Sequence, residues 1–251
     1  IIAKLRQVKQ GLLHDLLTRG IDDNGELRDP DRHPEQFKDS PLGPIPKTWE
    51  ASLGSECFTL HGGCTPVDVR EDSEGKFLYL KVDDFNLAPN EYELAEAQAT
   101  FDEIRANSTA VRRAFQPGAV IFPKRGAAIF KNRARVLSRT GTIDPNLMAA
   151  IPFKLMPELL AAYLVHFDLS NICDNSGLPQ INNKHVYPLV FPVPPAAEQS
   201  DMVLRVSEFQ NRQRQEAAGL EKLKVLKQGL MEDLLTGRVR VTDLLEEDSA
   251  A

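Results

Sequence analysis

The chain has 251 residues, 30 Lys+Arg against 36 Asp+Glu and 42% hydrophobic residues. That is the profile of a globular protein with one large domain or two small ones, and it excludes a disordered or collagen-like chain. No stretch approaches the roughly eighteen uninterrupted apolar residues of a bilayer span, and the N-terminus lacks the basic-then-apolar pattern of a secretory signal, so a cytoplasmic location is expected.

In chain order, the first predicted element is a helix within residues 1–21, with an apolar seam at Ile1, Leu5, Val8, Leu12 and Leu16. Residues 22–46 are turn-rich and polar. Pro30, Pro34, Pro41, Pro44 and Pro46 are expected to prevent regular structure there, which makes the segment a surface linker. From 47 to 199 the pattern is mixed. Short β-like runs occur at Phe77-Leu78-Tyr79-Leu80-Lys81-Val82, Ala119-Val120-Ile121-Phe122 and Ala134-Arg135-Val136-Leu137-Ser138, with a helical stretch around Glu158 to Leu169. Short strands with one or two helices predict an α+β domain. A proline-free helix follows over residues 200–237, with Gly237 placed as its stop and 238–251 as a tail.

In that last helix Met202, Val206, Phe209, Gln213, Glu216, Leu220, Leu223, Lys227, Leu230 and Leu234 step alternately by four and three, a heptad seam with polar interruptions. At 1.5 Å per residue the rod is roughly 54 Å long, more than one small domain covers. Leu220, Leu223, Leu230 and Leu234 are therefore expected to pair with another helix: the first arm, a second copy or a different protein. The two arms also repeat each other. Residues 4–18 match 222–236 at a constant offset, including Lys9-Gln10-Gly11-Leu12 against Lys227-Gln228-Gly229-Leu230, and both copies continue through a basic residue and a glycine to a β-branched residue. Two copies so far apart do not make a solenoid; they bracket a globular insert.

Charge is distributed unevenly. Residues 104–143 contain no Asp or Glu but nine bases (Arg105, Arg112, Arg113, Lys124, Arg125, Lys131, Arg133, Arg135 and Arg139), which leaves 21 bases against 36 acids elsewhere. A phosphate backbone responds to the local patch within about 8 Å at physiological salt, so the window outweighs the net charge of the chain.

Several motifs occur in a fixed order: Ile45-Pro46-Lys47-Thr48-Trp49-Glu50, Gly63-Cys64-Thr65-Pro66, Tyr79-Leu80-Lys81-Val82-Asp83-Asp84, Ile143-Asp144-Pro145-Asn146-Leu147-Met148, Ser176-Gly177-Leu178-Pro179-Gln180-Ile181-Asn182, Val193-Pro194-Pro195-Ala196-Ala197-Glu198-Gln199 and the Lys-Gln-Gly-Leu cassette. In this order and spacing they resemble the DNA-specificity (S) subunit of type I restriction-modification systems. The resemblance implies a mixed α/β target recognition domain that reads half of a bipartite site, followed by a long coiled-coil-forming helix. It implies double-stranded DNA as the ligand, and a methyltransferase (M) subunit as partner, with a restriction (R) subunit in the full complex. A typical member has two recognition domains; this chain has one and does not begin with Met. It thus resembles either the second half of a full subunit or a half-subunit that forms a homodimer.

Duplex binding needs cations for phosphates and guanidinium or amide groups for base edges. Lys124, Arg125, Lys131, Asn132, Arg133 and Arg135 supply both kinds in a β-turn-β context. Gln180, Asn182, Asn183 and Lys184 form a second polar loop, and Thr65, Arg112 and Arg113 complete the candidate set. Catalysis finds little support. Asp144-Pro145-Asn146-Leu147 lacks the second proline and the aromatic of the amino-methyltransferase signature, and there is no phosphate-binding loop. The five histidines show no metal-ligand spacing, and Cys57, Cys64 and Cys173, an odd number without a CxxC pair, read as reduced apolar residues. His166, Asp168 and Cys173 read as packing and capping residues. No cofactor, metal or catalytic residue is assigned. The competing readings are a coiled-coil adaptor whose insert binds protein and a cryptic DNA methyltransferase.

Overall fold

The computed structural model describes residues 2–65, 72, 74–102, 114–174 and 177–239. Two compact units are formed, one by Gln10–Arg205 and one by Ile1–Lys9 with Val206–Ala251. Four α-helices occur among the described residues: α1 (Ile2–Arg19), α2 (Pro157–His166), the single turn α3 (Asn183–Val186) and α4 (Ala196–Leu235). None is long and apolar enough to cross a membrane.

The larger unit is built on two sheets. β4 (Phe58–Gly62), β11 (Leu147–Pro152), β8 (Val120–Pro123), β9 (Arg135–Leu137) and β6 (Glu93–Leu94) lie side by side in that order, antiparallel except for the β9–β6 pair. The smaller sheet has β5 (Phe77–Leu80) between β10 (Gly141–Ile143), parallel, and β7 (Ala99–Phe101), antiparallel. Successive strand residues point to opposite faces. Ile121, Leu147 and Ala149 accordingly share one core with Leu78, Leu80, Ile143, Phe85 and Leu137. The alternate residues Val120, Phe122, Met148 and Ala150 are buried on the other face. There α2 packs through Leu159, Leu160, Tyr163 and Leu164. Being buried on both faces is why β8 reads as an unbroken apolar run in the sequence. β5 is buried on both faces too: Phe77 and Tyr79 pack with Ala99 and Phe101 behind the small sheet.

β3 (Glu50–Leu53) pairs antiparallel with β12 (Val190–Val193), which brings Phe191 against Phe58, Tyr163 and Phe167 with edge-to-face rings 5.0–6.4 Å apart. Beside them Cys57 is wholly buried, and that burial raises its thiol from the ordinary 9.0 to about 11. The shift favours the neutral thiol in the folded protein. Its stability contribution is therefore complete below pH 9 and lost as pH rises through about 11. Disulfide-exchange labelling at pH 8 is expected to modify the half-exposed Cys64 and Cys173 in the native chain and all three thiols after denaturation. Prompt native labelling of three would contradict this packing.

Residues 22–46 differ from the expected irregular linker. β1 (Phe37–Lys38) and β2 (Ile45–Pro46) form a small hairpin, closed by mutual Ser40–Gly43 backbone bonds of 3.0 and 3.1 Å with Gly43 at φ +88. Pro41 and Pro44 stand at the turn and Pro46 at a strand end, where no ladder N–H is required, so they shape the hairpin instead of abolishing it. The long helix also begins four residues before 200. The carbonyl of Pro195, which directly precedes it, accepts the Gln199 N–H at 3.0 Å, and Glu198 stands in the positively polarised first turn.

Both arms end in a glycine with left-handed backbone, Gly20 at φ +60 and Gly237 at φ +70. At the first, Gly20 is seated so tightly that a Cβ would run into Glu198 and Trp49. Glu198 accepts the Ile21 N–H at 3.0 Å and both guanidinium nitrogens of Arg28 at 2.5 and 3.1 Å. The Glu198 and Arg28 side chains are each only 9% exposed. In the other unit, the predicted pairing residues Leu220, Leu223, Leu230 and Leu234 are exposed, as are Val225, Leu226 and Leu235.

Candidate nucleic-acid interface

β8 leaves the core at Pro123, and the next two side chains emerge as cations: Lys124 half-buried, Arg125 exposed. Gly126, at φ +74, turns the chain into a 3-10 segment, Ala127–Lys131, before β9 pairs back with Val136 opposite Val120. The β-turn-β context read from the sequence is thus present. Lys124 lies at the end of the sheets where other strands also end. Its N–H donates to the Asn146 carbonyl (2.8 Å), the Asp144 N–H donates to the Leu80 carbonyl (2.8 Å) and the Cys64 N–H donates to the Ile143 carbonyl (2.9 Å). Gly63 is required here, and Gly62 lies against a side chain able to give way. A Cβ on Gly63 would overlap the Ile143 and Asp144 carbonyls, and one on Gly62 would sit 3.1 Å from the Lys124 amine. Burial, reinforced by Arg125, holds the Lys124 amine below its usual range, and Asp144 acts in the opposite sense.

The second polar loop is fastened to the first. The Gly126 N–H donates to the Pro179 carbonyl and the Ile181 N–H to the Lys124 carbonyl, both at 2.9 Å, and Arg125 and Gln180 form a β-bridge. Gln180 donates from Nε2 to Asn182 Oδ1 at 2.9 Å. Asn183 and Lys184 are exposed on α3. Thr65 is exposed at the same end and hydrogen-bonds the Tyr79 side chain, over whose ring Lys81 Nζ lies 5.6 Å from the centroid. Candidates 55 residues apart, Arg125 and Gln180, therefore share one backbone-stitched surface.

The other half of the basic window makes hydrogen bonds within the chain. Asn132, at φ 44, donates to the Val165 carbonyl (2.7 Å) and accepts the Leu169 N–H (3.1 Å), so its amide fastens the end of α2. Arg135 donates to the Phe85 carbonyl at 2.7 Å and lies 5.4 Å from the Phe85 ring centroid. Burial, then the neighbouring Arg133, lowers its pKa to about 10, against a favourable effect of Glu91. Arg133 donates to the same carbonyl (3.2 Å) and to Asn86 Oδ1 (2.8 Å). Asn132 and Arg135, expected as groove-reading groups, thus also fasten the 85–86 turn and the end of α2. Replacing Asn132 with Ala removes two hydrogen bonds and is expected to lower unfolding free energy by about 1–3 kcal/mol in urea titration. An unchanged midpoint would deny it that role. Arg112 and Arg113 lie outside the described residues. Lys81, which the candidate set left out, also stands at this end; it could have been found as the first residue after β5.

Among the described residues, no carboxylate forms an ion pair with Lys124, Arg125, Lys131, Arg133, Arg135 or Arg139. Asp168 caps the turn Leu169–Ile172 by accepting the Ser170 N–H, and Cys173 donates to the Ser170 carbonyl, so neither activates the other. Among the described residues no group of three or more His, Cys, Asp or Glu is placed to hold a metal ion.

No protein-family model matches the chain. Solved structures do. A structure of the type I R-M system, described for its complex assembly and conformational transition, is similar at 18% identity and TM-score 0.57, with 92% of this chain and 54% of that one covered. The HsdS subunit from Thermoanaerobacter tengcongensis is similar at 18% identity and TM-score 0.58 over 92% and 51%. The type I restriction-modification S subunit from M. genitalium is similar at 14% identity and TM-score 0.56 over 91% and 53%. The chain spans about half the length of each. With its mixed sheets and long C-terminal helix, it has the fold of a type I restriction-modification S subunit.

Proposed function

We propose that the chain is the DNA-specificity component of a type I restriction-modification complex: it binds double-stranded DNA in a sequence-specific manner and directs a methyltransferase and endonuclease to that site without reacting itself. The observation that carries the reading is the surface made by Lys124-Arg125-Gly126 and Gln180-Ile181-Asn182. Cations suited to phosphates and amides suited to base edges stand together on a rigid, backbone-bonded support. The exposed leucines of α4 support a second role, pairing with another helix of the complex. A single half-site reader binds weakly alone, and pairing two on a helical spacer raises affinity through effective concentration.

The test is a labelled-duplex titration at low salt, combined with a methyl-transfer assay. Duplex binding is expected from the chain, and turnover of S-adenosylmethionine only after a methyltransferase subunit is added. No change in duplex migration would favour a protein-binding adaptor; turnover by the chain alone would make it an enzyme.

A further inference from the structure

Leu178 is 69% exposed, more than any other large apolar side chain outside α4 among the described residues. It does not sit on a loose tail. Asp174 and Gln180 exchange two backbone hydrogen bonds of 2.9 and 3.1 Å, and the Pro179 carbonyl and Ile181 N–H are bound to Gly126 and Lys124. Leu178 stands at a bend just before this bridge, Gln180 and Asn182 are half-buried, and Ile181 between them is wholly buried. An exposed apolar side chain thus lies two residues before a pair of half-buried amides, beside Arg125.

Amide side chains pair with adenine through N6 and N7 in the major groove, and the partner thymine offers its C5 methyl in that groove. On the basis of the DNA-binding reading above, we infer that Leu178 is a specificity-determining residue: it packs on the methyl of a thymine in the A·T pair that Gln180 and Asn182 address. The backbone bonds of Asp174, Pro179 and Gln180 tie down the loop that carries the leucine, which lowers the ordering cost of the contact.

The experiment begins with duplex selected from a random pool by the full chain. Each thymine is then replaced in turn by deoxyuridine, which removes only the methyl group. Wild type is expected to lose about fourfold in affinity at one position, the worth of one buried methyl-sized group. Leu178→Ala is expected to bind the thymine and deoxyuridine duplexes alike at that position with an unchanged salt slope. Phe153→Ala, an exposed apolar residue just beyond the opposite end of β11, is expected to retain the discrimination. Indifference of the wild type to every replacement, or full discrimination by Leu178→Ala, overturns the inference while the DNA-binding reading stands. Failure of the chain to retain any duplex overturns both.

Discussion

Replacing Lys124, Arg125 and Lys131 together with glutamine is expected to flatten the dependence of DNA affinity on salt. Each phosphate contact contributes about 0.9 to the slope of log affinity against log salt, so three contribute roughly 2.7, or about two orders of magnitude of affinity near 0.1 M. Glutamine keeps the first two methylenes of the stem that Lys124 places in the half-buried position at the end of β8. No ion pair with a described carboxylate is broken, so the thermal midpoint is expected to stay nearly constant. Arg133 and Arg135 make the contrast. Their guanidinium groups hold the Phe85 carbonyl, and replacing both with methionine is expected to reduce stability first and binding only through it. An unaltered slope in the triple variant would remove these loops from the DNA-binding face.

The second large effect concerns Glu198. Its carboxylate receives both Arg28 nitrogens and the Ile21 N–H in a place where either side chain is 9% exposed. Converting it to alanine leaves a buried guanidinium and a backbone donor without their acceptor, a loss of about 3–5 kcal/mol of the kind seen when one member of a buried pair is removed. Urea denaturation reads this as a much lower midpoint. Arg28→Met in the same background is expected to recover part of the loss, because the uncompensated charge is then gone. A Glu198→Ala chain within 1 kcal/mol of wild type would mean that water already satisfies these groups.

What could be read from the residues follows physical range. β5, β8 and α2 were legible because their signals lie within one element: continuous apolar runs for strands covered on both faces, and a helical pattern around Glu158 to Leu169. The stop of α4 was legible because Gly237 adopts a backbone that favours glycine. The hairpin Phe37–Lys38 with Ile45–Pro46 was not, since two-residue strands are shorter than any periodicity. Nor were the bonds of Asn132 and Arg135 within the chain: an asparagine between two bases gives no sign in sequence of a carbonyl 33 residues away. In contrast, Arg125 and Gln180 were singled out by chemistry alone, and only the tertiary fold places them side by side.

The most direct test of the account is selection from a randomised duplex pool by the full chain at low salt, with light scattering on the bound species to count copies. The account predicts enrichment of one short contiguous motif per domain, repeated at fixed spacing if two copies bind. A pool recovered without sequence bias, or no recovery of duplex, would contradict it.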